Sequence, residues 1–131
     1  MLTQVEFRSQ KFPAYDGEED AINSGIWGKR LTEYLARELA LYGIMSDTMV
    51  VEDWGYYLPL QIEGMRLALC CGHQDGNADQ FVVFTDPSQP IVKKFFRTRD
   101  ATPQFTQVLD ALRNILDTDP EIRDIVWSKT Q

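Results

Sequence analysis

Three residues that could bind a metal alternate along one short segment, Cys71, His73 and Asp75. If a β-strand runs through all three, their side chains lie on one side of it, and thiolate, imidazole and carboxylate are all zinc ligands. Against such a site, Gly72 and Gly76 interrupt a regular strand, and Cys71 continues an apolar face. We therefore favour a buried thiol followed by a polar loop. Cys71, His73 and Asp75 remain the candidate metal ligands, and no cofactor is expected.

His73 is the one histidine of the chain, so a serine–histidine–acid triad would have a single base. None of the five serines stands in the context of a nucleophile elbow. The chain also lacks the glycine-rich phosphate loops of the Walker and dinucleotide types. These absences favour a non-enzymatic protein. The alternative is a small enzyme or ligand-binding protein with a pocket between helix and sheet near His73, using Asp75 and Asp53 as further polar groups.

Charge favours a basic partner over nucleic acid. The chain has 20 acidic and 13 basic residues, for a formal net charge of −7. This balance repels phosphates, so no nucleic-acid partner is expected. Asp16, Glu18, Glu19 and Asp20 cluster in the polar, turn-rich segment 11–23, which we predict to be an exposed loop. Complementary charge would speed the association of this loop with a basic protein.

Trp54 and Tyr57 are the second set of candidate binding residues. They stand at the start of a predicted strand, and tryptophan and tyrosine are enriched at binding hot spots, where one end of the ring is apolar and the other wet. Tyr57 falls on the more polar face of that strand. Core packing is the competing interpretation, and it applies more to Trp54 than to Tyr57.

The elements that must position these residues follow from hydrophobic periodicity. Period-two patterns predict strands over 56–62 and 65–71, and a weaker alternation predicts one over 2–8. Further strands are predicted over 81–85, which is mostly apolar on both faces, and over 91–97, with a short closing strand at 125–127. Helical spacing predicts two amphipathic helices, one capped by Asn23 or Ser24 and running to about Tyr42, the other running from Thr102 to Leu116. Pro59 places its strand at an edge or a bulge. The sum is one α+β domain over residues 1–131, a mainly antiparallel sheet of four to six strands with two amphipathic helices packed on one face.

Nothing in the chain indicates export or a membrane. The first residues lack the basic and apolar regions of a signal peptide, and no apolar run approaches the ~18 residues of a spanning helix. The adjacent Cys70 and Cys71 give no disulfide framework, and neighbouring strand residues point to opposite faces, so two reduced thiols are expected. We expect a cytoplasmic protein that does not engage a membrane.

Two segments resemble a group of small uncharacterised bacterial proteins. These are Gly25-Ile26-Trp27-Gly28-Lys29-Arg30-Leu31, before a helix, and Glu52-Asp53-Trp54-Gly55-Tyr56, which opens a strand leading to Cys71-Gly72. The likeness spans about residues 15–86. It implies a bacterial cytosolic origin and one compact α+β domain, and it brings no activity with it.

The leading hypothesis is therefore a small acidic binding protein, of an immunity or inhibitor type, that masks a basic protein partner. Its candidate contacts are the acidic loop together with Trp54 and Tyr57. A homodimer formed through an edge strand is a further alternative.

Overall fold

The alternating apolar residues form one antiparallel sheet, as predicted. The structure is a computed structural model that describes residues 1–21, 25–74, 77–94 and 97–130. Its elements, in chain order, are β1 (Gln4–Arg8), α1 (Glu18–Ala21), α2 (Lys29–Leu41), β2 (Val50–Glu52), β3 (Gly55–Leu60), β4 (Leu67–His73), β5 (Gln80–Asp86), β6 (Ile91–Lys94), β7 (Arg97–Asp100), α3 (Thr102–Thr118) and β8 (Arg123–Ser128). Six strands lie in the order β2-β3-β4-β5-β1-β8, and each is antiparallel to its neighbours.

Strand register sorts the side chains of the sheet into two faces. One row across the strands joins Val51, Tyr56, Cys71, Val83, Val5 and Trp127. The adjacent row joins Val50, Tyr57, Cys70, Phe84, Gln4 and Ser128. Because successive side chains alternate, these rows lie on opposite faces. We call the face that carries Tyr57, Cys70 and Phe84 the open face, since no described helix packs on it.

Both long helices pack against the other face, as the sequence predicted. In α2 the buried stripe contains Leu31, Leu35 and Leu39. In α3 it runs from Phe105 to Leu116, and both stripes share one core with the inner side chains of the sheet. Helix α2 ends where the sequence predicted, since Tyr42 is its C-cap residue and is 45% exposed.

The start of α2 differs from the prediction. Its proposed caps, Asn23 and Ser24, lie outside the described residues, and α2 begins only at Lys29. The apolar periodicity of the sequence extends before Lys29, but the helix does not. The backbone N–H groups at its start bind an acceptor from another part of the chain. That acceptor is the side chain of Glu18, described below.

Two strand predictions also need correction. The predicted strand 91–97 is a hairpin of β6 and β7, a separate two-stranded sheet in which Lys94 pairs with Arg97. The sequence between them has none of the glycine, proline or Asx residues that signal a reversal. The short strand β2 was missed, so β3 is not an edge strand. Pro59 lies beyond the end of β2, where its carbonyl accepts from the N–H of Asp47 at 2.9 Å.

Three glycines allow close backbone contacts at β4: Gly28 in the loop before α2, Gly55 at the start of β3, and Gly72 in β4 itself. A Cβ at Gly28 would lie 3.3 Å from the carbonyl oxygen of Cys71, and a Cβ at Gly72 would lie 2.9 Å from that of Trp54. A Cβ at Gly55 would lie 2.4 Å from the Cys71 oxygen, and the φ of Gly55 is +150°. Backbone therefore meets backbone at all three positions, and at Gly55 and Gly72 the distance leaves no room for a Cβ.

We expect Gly55→Ala to cost about 3 kcal/mol or more, because the methyl group would collide with a strand backbone at a φ that side chains rarely adopt. Urea unfolding measures the loss. Gly43→Ala is the matched control: Gly43 also has a positive φ, +79°, but open space around it. It should cost only about 1 kcal/mol. Equal losses at the two positions would contradict the close-approach argument.

A charged cluster joins the first loop to both helices. Asp119, the C-cap residue of α3, accepts from Lys11 Nζ at 2.7 Å, from the hydroxyl of Tyr34 at 2.6 Å and from the N–H of Glu121 at 2.9 Å. Burial alone would raise the pKa of Asp119, but these donors outweigh it and hold that pKa below its ordinary value. The same ion pair raises the pKa of Lys11, although burial opposes it.

Asp119 should consequently stabilise the fold above about pH 4, the ordinary aspartate pKa, and lose this contribution as pH falls through its lower folded value. We expect Asp119→Asn to remove about 2 kcal/mol at pH 7 and to flatten the acid limb of the stability–pH curve. Urea unfolding between pH 2 and pH 7 tests this. The control is Asp117→Asn, an exposed acid in the last turn of α3. An unchanged acid limb in Asp119→Asn would contradict the assignment.

Candidate functional site

The structure gives His73 a structural role. It lies in β4, is 6% exposed, and stacks on the ring of Trp27 with centroids 3.5 Å apart. One ring nitrogen, Nδ1, is 2.9 Å from the carbonyl oxygen of Gly25, and the other, Nε2, contacts the carbonyl oxygen of Asn77. Backbone carbonyls from two loops therefore occupy both nitrogens, and neither is presented to a metal ion.

The remaining candidate ligands do not complete a site among the described residues. Cys71 shares the inner face with His73, but it is fully buried in the core, and burial raises the pKa of its thiol to about 12. Asp75 lies outside the described residues. In the described part of the chain, no group of three histidine, cysteine or acidic side chains is arranged to hold a metal ion.

The alternative pocket near His73 also lacks support in the geometry. The space between α2 and the sheet is filled by core side chains, and His73 lines none of the four clefts described for this surface. Asp53 is exposed, in the turn between β2 and β3.

The acidic cluster is not one exposed loop. Glu18 is only 6% exposed, and Phe12 in the same segment is also buried. The carboxylate of Glu18 accepts from the N–H groups of Tyr15, Gly28 and Lys29, each at 2.9 Å. It therefore caps the start of α2 and is not available to a partner. A tertiary contact of this kind leaves no signal in local sequence, which is why the exposed-loop prediction failed at Glu18.

Three acids of the cluster remain on the surface. Asp16, Glu19 and Asp20 are exposed. Tyr56, on the inner face of β3, also hydrogen-bonds Glu18, and burial followed by this carboxylate raises the pKa of Tyr56 to about 12. Because Tyr56 points toward the helices, α1 lies on the helical side of the sheet. The two predicted sets of binding residues are thus on opposite sides of the molecule.

Trp54 and Tyr57 come together on the open face. They line a pocket of about 280 Å³ with Phe84 and Asp86, and Cys70 also lines it. Trp54 is 41% exposed, and its ring centroid lies 5.9 Å from that of Phe84. The sequence analysis missed Phe84 and Asp86 because their strand reads as apolar on both sides. Only the register with β4 places Phe84 beside Cys70 and Tyr57.

The electrostatic environment of this pocket is mainly negative. Burial, followed by the carboxylates of Asp86 and Glu52, raises the pKa of Cys70 to about 12. The pKa of Tyr57 is raised by burial and then by Asp86, which accepts a hydrogen bond from its hydroxyl, while Arg66 acts in the opposite direction. Glu52 and Asp86 both therefore act on the pocket.

These two carboxylates are among the acids of the described residues that form no ion pair. Glu52 and Asp86 form no ion pair within the described chain, whereas Arg8 and Arg123 bind Asp79 and Lys11 binds Asp119. The open face thus carries two carboxylates without an ion pair among the described residues, and Arg66 is a cation that acts on the same pocket.

A second cleft differs from the open-face pocket because charged groups that line it bond within the fold. It measures about 120 Å³ and lies beside α2, between Tyr15 and Tyr34. Two of its charged groups are engaged internally: the Arg30 side chain donates to the carbonyl of Pro13 and stacks 3.9 Å above the Tyr15 ring, and Glu33 accepts from the Tyr15 hydroxyl at 2.5 Å. We interpret this cleft as part of the scaffold.

Among the described residues, no helix combines the length and apolarity that crossing a bilayer requires.

We expect Glu18→Gln to destabilise the protein by about 2 kcal/mol, because an amide group would face N–H donors that now meet a carboxylate. Chemical denaturation measures the change. Glu19→Gln, at the adjacent exposed position, should stay within about 0.5 kcal/mol of the wild type. If the two variants were equally stable, Glu18 would not be the cap of α2.

Comparison with known proteins adds no relative: no family model, no curated protein and no solved structure matches this chain.

Proposed function

We propose that this chain is a non-enzymatic acidic binding protein, of the immunity or inhibitor type, that masks a basic protein partner through the open face of its sheet. The observation that carries the proposal is the grouping of Trp54, Tyr57 and Phe84 beside Glu52 and Asp86. Aromatic side chains are frequent binding hot spots, and carboxylates without an internal ion pair can pair with cations of another protein.

The position of the pocket supports this assignment. The inner face of the sheet is used up by the core with α2 and α3, so its aromatic residues already have a structural role. On the open face, Val50 and Val126 are about half exposed or more, as is much of Trp54. Apolar surface next to acids without an ion pair suits a partner that combines apolar and cationic groups.

The cellular setting is part of the same proposal. Cys70 and Cys71 are free and buried, on opposite faces of β4. Reduced thiols are typical of proteins in a reducing compartment, so we place the interaction in the cytoplasm. The resemblance described above points to a bacterium.

Charge reversal tests the surface. We expect the tagged protein to retain one basic protein from host lysate at a stoichiometric ratio, and to release it as salt rises. The double variant Glu52→Lys/Asp86→Lys should bind that protein more than tenfold more weakly, because two like-charge contacts cost about 2 kcal/mol or more. Affinity capture with mass spectrometry identifies the partner, and calorimetry gives the Kd.

The matched control is Glu19→Lys/Asp20→Lys, which makes the same change of net charge on the helical side. It should bind nearly as well as the wild type. A loss confined to this control would move the interface to α1 and contradict the open-face proposal. Recovery of no basic protein would contradict the function itself.

A further inference from the structure

The pocket on the open face has the size of one side chain. At about 280 Å³ it falls just below the ~300–1,000 Å³ of pockets that hold drug-sized ligands. At roughly 30 Å³ per water, it has space for about nine water-sized groups. This is room for one extended side chain with a polar head.

The walls of the pocket select a flat cation. Trp54 and Phe84 present rings tilted by 43° to each other, and Tyr57 forms a third aromatic wall. Aromatic faces attract cations, and a planar guanidinium also stacks on them, which an ammonium cannot do.

The carboxylate of Asp86 can accept hydrogen bonds from a guanidinium group in the pocket. Asp86 is exposed at the end of β5 and accepts one hydrogen bond, from the Tyr57 hydroxyl, which leaves acceptor positions on its two oxygens. A guanidinium can donate two parallel hydrogen bonds to such a carboxylate. Glu52 adds negative charge without occupying the pocket, since it acts on Cys70 but does not line it.

We propose that the pocket formed by Trp54, Tyr57, Phe84 and Asp86 binds a single arginine side chain, with Asp86 as its counter-ion. That the arginine belongs to another protein rests on the proposed function; the recognition of a guanidinium does not.

The test uses small probes on the whole protein. Ethylguanidinium should shift the indole N–H signal of Trp54 saturably in two-dimensional NMR, at millimolar concentration. Ethylammonium should bind at least threefold more weakly, and the neutral N-ethylurea should give no saturable shift. No saturable response to ethylguanidinium, or an equal response to N-ethylurea, would overturn the proposal.

Variants separate recognition from folding. Asp86→Asn should weaken ethylguanidinium binding at least fivefold, whereas Tyr57→Phe, which keeps the ring and frees Asp86, should stay within about threefold of the wild type. Glu19→Gln, on the opposite side of the molecule, should bind like the wild type. Circular dichroism and melting curves confirm that each variant is folded. Undiminished binding by a folded Asp86→Asn would overturn the role of the counter-ion.

The outcomes distinguish this inference from the proposed function. If ethylguanidinium binds as expected but no basic protein is captured, the pocket stands and the proposed function fails. If a basic protein is captured while ethylguanidinium does not bind, the inference fails alone. A dimer in sedimentation that Asp86→Asn abolishes would assign the arginine to a second copy of this chain and overturn another protein as its source.

Discussion

Helices α2 and α3 cover one face of a six-stranded sheet, and this constraint decides what each strand residue can do. Side chains alternate, so every strand contributes to both faces. The inner row, from Tyr56 through Cys71 to Trp127, packs under the helices. The adjacent row, from Tyr57 through Cys70 to Phe84, has no helix above it in the described chain. The candidate pocket exists because this second row includes aromatic residues.

The charges of the molecule follow the same division. Glu18 and Asp119 hold loops and helix ends together, each with several donors. Such carboxylates stabilise the fold and offer little to a partner, because removing a partner group from a buried charge is costly. Glu52 and Asp86 lie at the open face without an ion pair among the described residues.

Periodicity predicted the helices and strands well where apolar and polar residues recur at regular spacing. The helices α2 and α3 and the strands β1, β3 and β4 were found because their apolar residues repeat at period 3.6 or 2, whereas the short helix α1 lies in a segment that was predicted to be a loop. Periodicity failed at β2, which has three residues, and at the β6–β7 hairpin, whose reversal has no turn residue. The acidic segment misled for a different reason: Glu18 is polar in sequence, but hydrogen bonds from distant backbone groups allow its burial.

The sequence by itself determined the fold class, the amphipathic helices, the absence of familiar catalytic motifs, the net charge, and Trp54 and Tyr57 as candidate contacts. These follow from composition and local spacing, which act over a few residues. Only the tertiary structure decided that Trp54 and Tyr57 join Phe84 and Asp86, and that Glu18 is a cap. Strand register and long-range hydrogen bonds bring together residues far apart in the chain. Local periodicity in the sequence predicts neither of them.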